Sequence, residues 1–152
     1  MSYLTLDFIG LFVLLAGFII GLGAVTVIDL HGFLGRKSAY WTEATTRTHK
    51  VTKPLIWLGM FLAIIGGGIF YRDIGINNVT IFHVVTIFIM IINGIFLSFL
   101  VSPFLLKKEL EGKSGELLPS SWQSKITISF VVSFICWWGN LALVVYSLTS
   151  KM

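Results

Sequence analysis

The sequence predicts an all-α integral membrane protein, a bundle of four transmembrane helices. Three observations carry this. Charged residues make up only 12% of the chain and hydrophobic residues 56%, whereas a soluble domain carries about 25% charged residues. The mean hydropathy is +0.91. Four stretches are long and apolar enough to cross a bilayer, which takes about 20 residues. They fill most of the 152 residues, so residues 1–152 read as one four-span domain with no room for a separate soluble one. The composition excludes a disordered chain, a disulfide scaffold and a nucleic-acid-binding domain.

The first span covers 8–33, with FIGLFVLLAGFIIGLGAVTVI uncharged between Asp7 and Asp29. No basic residue precedes it, and the run is too long for a signal peptide's apolar core, so it reads as a retained helix. Gly17 and Gly21 form a small-xxx-small pair, with Gly10 on nearly the same face. Such faces let helix backbones approach closely, and this one predicts self-association of span one in a homodimer. The segment that follows holds Arg36, Lys37, Arg47, Lys50 and Lys53. Ser38 is placed to cap a helix, Thr42 to Lys53 reads as helical with Glu43 and Arg47 at i,i+4, and Pro54 marks the junction with the second span, 54–71.

Within the second span, Gly66, Gly67 and Gly68 run consecutively. Each lowers helix propensity by about 1 kcal/mol, which a closely packed neighbouring helix or a bulky cofactor would explain. The next segment, RDIGINN, holds only Arg72. The third span covers 79–106, and Lys107, Lys108 and Lys113 follow it, with Lys125 close by. Pro119, Ser120 and Ser121 lead into the fourth span, 122–148, where the lone cysteine, Cys136, reads as a small apolar filler. The basic residues thus gather in two inter-span segments on one side. The positive-inside rule makes that side cytoplasmic, placing both termini outside, in a bacterial inner membrane.

Buried polar residues are the functional candidates, because ionisable groups inside a membrane are costly. Asn93 and Asn140 are placed to bond across helices. Asp29 is placed either to pair with Arg36 or Arg47 or to hold a ligand histidine by its second nitrogen. Trp41, Trp57 and Trp122 fall at span ends, as an aromatic belt does. All three histidines of the chain also sit at span ends: His31 and His49 on the basic side, His83 on the other. Neutral imidazole suits iron, and two imidazoles on adjacent helix ends are the ligand set of a six-coordinate haem b. His31 and His49 are therefore the expected metal ligands, with His83 at a second site. Arg36 and Arg47 are placed for haem propionates. One helix face runs from each histidine: Val27, Ala24, Gly21 and Gly17 behind His31; Ile56, Met60, Ala63 and Gly67 beyond His49; Thr86, Met90 and Gly94 beyond His83; the small residues among them would leave room for a macrocycle or for close packing.

Over most of its length the layout resembles the small four-helix inner-membrane proteins of the HemJ-type protoporphyrinogen oxidases and the CopD-type family. The resembling parts are GLGAVTVIDLHGFLGRK, RTHKVTKPLIWLG, the glycine run ending GGGIFY, and TIFHVVTIF. The resemblance implies a haem-associated bundle. HemJ-type proteins carry a histidine early in span one and a basic residue within a later span. This chain has neither there, so no catalytic residue is carried over. No phosphate loop, zinc-protease motif, paired-cysteine motif or nucleophile elbow occurs. The expected function is a small b-type haem protein for membrane electron transfer or haem handling. The alternatives are a non-enzymatic membrane subunit and a dimeric small-solute transporter, which visible absorption separates from the first.

Overall fold

A computed structural model describes residues 3–35 and 38–149. Four helices are long and apolar enough to cross a membrane. Helix α1 runs Tyr3–Gly35 and α2 Ala39–Phe70. Helix α3, Asn78–Phe96, continues through a π-helical turn, Leu97–Val101, into α4, Ser102–Leu110. Helix α5 runs Ser120–Thr149. The protein is an integral membrane protein, and its surface shows why. Phe8, Phe12, Ile19, Phe61, Phe82, Val84, Phe88 and Phe99 all point outward, an arrangement that bilayer hydrocarbon stabilises and water does not.

Local chemistry explains the helix ends. Ser38 precedes α2 in an extended conformation, although its side chain makes no capping bond. Pro54 lies inside α2 without ending it, so the expected extension and second span form one continuous helix. Glu43 and Arg47 pair at 2.6 Å as their spacing predicts. Asn77 caps α3 by a reciprocal pair of bonds with Thr80, at 3.0 and 2.8 Å. The π turn sits just before Pro103, which lacks an N–H and crowds the carbonyl four residues back. There the Ser102 amide reaches back five residues to the Leu97 carbonyl. Helix α4 closes on Gly112 at φ +71°, with Gly112 N–H bonded to Glu109 O and Lys113 N–H to Lys108 O, the αL cap that glycine makes without strain.

Helices α1 and α2 form the tightest contact, an antiparallel hairpin with glycine on both sides. A Cβ on Gly17 would lie 2.5 Å from Ala63 N and 2.7 Å from Gly59 O; one on Gly59 would overlap the Gly21 backbone, and one on Gly66 the Leu14 backbone. Gly10 meets Ile69 and Phe70. This corrects the expected role of Gly10, Gly17 and Gly21 in self-association: α2 of the same chain already covers Gly10 and Gly17, and Trp137 covers Gly21.

Helix α5 packs on α1 and α3 on α5, so the order around the bundle is α2, α1, α5, α3. Leu14, Phe18, Val25, Met60, Met90, Cys136, Trp137 and Val144 form the core. Trp137, about 1% exposed, lays its ring over Gly21 and meets Phe18 edge-on at 6.0 Å. Helices α2 and α3 meet through side chains rather than by close backbone approach, and cavities lie between them. The segments 38–53 and 107–125 make one end of the bundle, the basic end. The loop at 71–77, the start of α1 and the end of α5 make the opposite end, where Arg72 pairs with Asp7 at 2.9 Å and Asp73 at 3.1 Å.

Candidate functional site

At the opposite end, a polar network ties α2, α3 and α5 together around His83. Asn140 is 2% exposed. Its Nδ2 donates to the Cys136 carbonyl at 2.8 Å and lies 3.5 Å from Met90 Sδ. A carbonyl only accepts, so this bond turns Asn140 Oδ1 toward α3. There Oδ1 lies 2.8 Å from His83 Nδ1 and 2.9 Å from Thr86 Oγ1. An amide oxygen only accepts as well, so His83 Nδ1 carries the hydrogen. In the neutral ring Nε2 then bears the lone pair, to which the Tyr71 hydroxyl donates at 3.2 Å. Ser147 of α5 is a further hydrogen-bond partner of that hydroxyl. The network therefore has a direction, from Tyr71 through His83 into Asn140, and it fixes the tautomer of the ring.

His83, Tyr71 and Asn140 border a cavity of about 450 Å³ between α2 and α3. Apart from Thr80, its other walls are apolar, among them Phe18 and Leu14 of α1, Ala63, Gly67 and Gly68 of α2, and Met90 and Trp137. Val84 and Phe88 line it too and are also exposed on the outer surface, so the cavity reaches the lipid-facing side. The glycine run thus has two explanations. Gly66 admits α1, whereas a Cβ at Gly67 would meet only Leu14 Cδ1, at 3.8 Å, and one at Gly68 nothing within 4 Å. Those last two positions form cavity wall.

The basic end places His31 and His49 in different surroundings. His31 packs against Trp41, ring centres 5.4 Å apart, with Nδ1 3.1 Å from Thr48 Oγ1. His49 instead borders a chamber of about 70 Å³ together with Asp29, and His31 is not among the residues lining it. The two histidines expected to share one metal therefore do not border one cavity. Arg47 is spent on Glu43 rather than on Asp29, and Arg36 lies outside the described residues. Among the described residues, no three His, Cys, Asp or Glu side chains gather as a metal cage.

Both asparagines bond across helices as their burial predicts. Asn93 Nδ2 donates to Ser129 O at 3.2 Å, and Ser129 Oγ returns a bond to Asn93 Oδ1 at 2.7 Å. The residues that sequence reading missed are Tyr71, Ser147 and Ser98. Ser98 accepts from Trp57 Nε1 at 2.9 Å, so Trp57 is a cross-helix strut as well as a belt residue. Comparing polar residues by depth from the span ends would have found Tyr71, since it starts the same short loop that leads to His83. No protein-family model matches the sequence, nor does any curated protein or solved structure.

Proposed function

We propose that this chain is a small membrane protein that binds a flat apolar prosthetic group of the haem b class in the cavity at His83, for electron transfer or haem handling. It would sit in a bacterial inner membrane with both termini outside. One observation carries the reading: Asn140 holds His83 as the tautomer with its lone pair on Nε2, and that ring borders an apolar cavity of about 450 Å³. Metal-ligating histidines are held in this way, by an acceptor on the other nitrogen. The Tyr71 hydroxyl would give up its bond to Nε2 and keep Ser147 as a partner. Met60 and Met90 line the same cavity, and thioether with imidazole is a known haem ligand set. A haem bound there would supply one-electron transfer.

His31 and His49 support this less well. The chamber at His49 is on the scale of a few water molecules, far below a macrocycle. A homodimer would use a face other than Gly10, Gly17 and Gly21. A second reading, a non-enzymatic membrane subunit, is favoured by a different observation: both ring nitrogens of His83 already have partners.

An absorption spectrum separates them. Protein expressed with ample haem, or mixed with hemin in detergent, should show a Soret band. His83→Ala should abolish or shift it, and Gly67→Leu should lower haem content by filling the wall. His31→Ala and His49→Ala should leave the band in place. Colourless wild-type protein that takes up no hemin sinks the haem reading and leaves the structural one.

A further inference from the structure

The basic end carries a second polar centre, independent of the cavity at His83. Two buried side-chain atoms there, Asp29 Oδ2 and His49 Nε2, have no hydrogen-bond partner among the described residues. They come from different helices, α1 and α2, yet border the same chamber of about 70 Å³. A buried polar atom without a partner costs about 1–3 kcal/mol, and more for a charged group. Two residues with such atoms, both bordering one small chamber, mark a site built around an occupant.

The polar wall groups are largely committed elsewhere. Thr45 Oγ1 donates to Trp41 O, Ser129 Oγ to Asn93 Oδ1, and Lys53 Nζ to the Ser98 carbonyl at 3.2 Å. Ser98 lies in the π-helical turn, a local widening found often at functional positions. A water needs about 10–15 Å³ of such space, so the chamber has room for a handful.

The chamber adjoins a second cavity at the basic end. His49, Lys53 and Leu105 line both it and a neighbouring cavity of about 210 Å³. That second cavity includes Lys50, whose ion pair with Glu109, at 2.8 Å, is solvent-exposed. The charged and titratable groups on the walls are therefore Asp29 from α1 and His49, Lys50 and Lys53 from α2. Glu109 of α4 pairs with Lys50 at the outer edge, and α5 brings serine, threonine and apolar groups.

We propose that this chamber is a hydrated proton-exchange site, in which Asp29 and His49 hold one proton between them through water and trade it with the aqueous phase at the basic end. The step is balanced as it stands. A hydronium ion gives its proton to the Asp29–His49 pair and leaves as water, and release reverses this. Asp29 Oδ2 and His49 Nε2 supply only two ligand atoms, too few for the shell of a hard cation, so water is the fitting occupant and the proton is what it carries.

The test is NMR of the full chain in lipid bilayers with isotope-labelled histidine, the His49 signal being assigned by its loss in His49→Gln. Magnetisation should pass from water to the His49 ring in wild-type protein, and the ring should titrate. Asp29→Asn should move the midpoint of that titration by about one pH unit or more, a tenfold change in proton affinity, while the His83 signal stays put. A dry His49 ring in wild-type protein overturns the proposal, even where Asp29→Asn does not fold. So does a titration that ignores Asp29→Asn. A midpoint that shifts with sodium or potassium concentration replaces it with a cation site.

Discussion

Replacing Asn140 by leucine tests whether His83 is held by the network or merely lies near it. Asn140 Oδ1 accepts two interhelical bonds, from His83 Nδ1 and from Thr86 Oγ1, the latter sharing its one hydrogen with the Phe82 carbonyl at 2.7 Å. Between membrane helices such bonds average about 0.6 kcal/mol, so their loss accounts for about 1 kcal/mol. The larger consequence is the buried His83 N–H left without an acceptor, at about 1–3 kcal/mol. Asn140→Leu should therefore destabilise by about 2–4 kcal/mol. His83→Leu leaves fewer orphans, because Asn140 Oδ1 keeps Thr86 and Tyr71 keeps Ser147. Its loss should be the smaller, about 1–2 kcal/mol on the same scale. In the double variant no orphaned N–H remains, so the two losses should fall short of their sum by about 1–2 kcal/mol, within the range for residues in contact. Reversible unfolding in mixed micelles of rising SDS fraction measures all three. Losses that add to within about 0.5 kcal/mol, or a His83→Leu loss as large as that of Asn140→Leu, would refute the directed network.

The α1–α2 hairpin predicts opposite outcomes for two glycines of one helix. Gly59→Leu drives a side chain into the Gly21 backbone, and backbone cannot yield, so the same assay should show a loss at or above about 3 kcal/mol, the upper end for overpacking. Gly68→Ala meets nothing within 4 Å and should be neutral or gain about 0.5–1 kcal/mol from reduced chain entropy; equal effects at the two sites would contradict the packing. For orientation, a Cys136→Ser background with Gly75→Cys should react with a membrane-impermeant thiol reagent on intact cells, and one with Lys113→Cys should not. The reverse pattern inverts the topology.

The sequence made the four helices legible because lipid imposes one rule on every span: about 20 apolar residues with every backbone group bonded internally. Glu43 with Arg47, and the cross-helix bonds of Asn93 and Asn140, were legible for similar reasons of spacing and burial. Pairing of the histidines was not. His31 and His49 both lie near the basic end, but which way each ring faces depends on how α2 rotates against α1, and that rotation is set by glycine contacts at Gly17, Gly21, Gly59 and Gly66 far along the helices. The same contacts explain why the glycine face of α1 misled: a small-xxx-small stripe announces a close helix without saying whose. Asp29 stands out in the sequence as a carboxylate near the span-end histidines, and in the structure it borders one chamber with His49. Its chamber with His49 needed four helices and the π turn before Pro103, none of which local pattern records.

The gap between α2 and α3 follows from how each helix is anchored. Glycine contacts lock α2 to the backbone of α1, so α1 decides where α2 lies. Helix α3 is placed by α5, through His83 and Thr86 on Asn140 and Asn93 on Ser129. Neither anchor draws α2 and α3 together. Trp57, bonded to Ser98, props them apart near the basic end, and its ring faces Gly94 at 3.4 Å from a built Cβ. On α2, the facing residues Ala63, Gly67 and Gly68 are too small to fill the space beyond. The stripe Ile56, Met60, Ala63 and Gly67 therefore does double duty. Ile56 borders the chamber of Asp29 and His49, and the other three border the cavity of His83. The backbone leaves room for a side chain to begin at both glycines, a Cβ at Gly67 meeting only Leu14 Cδ1 at 3.8 Å and one at Gly68 nothing within 4 Å. Glycine at both positions keeps that volume open toward the lipid-facing side, so its walls regain dispersion contacts only from what enters there, an acyl chain or a flat apolar group.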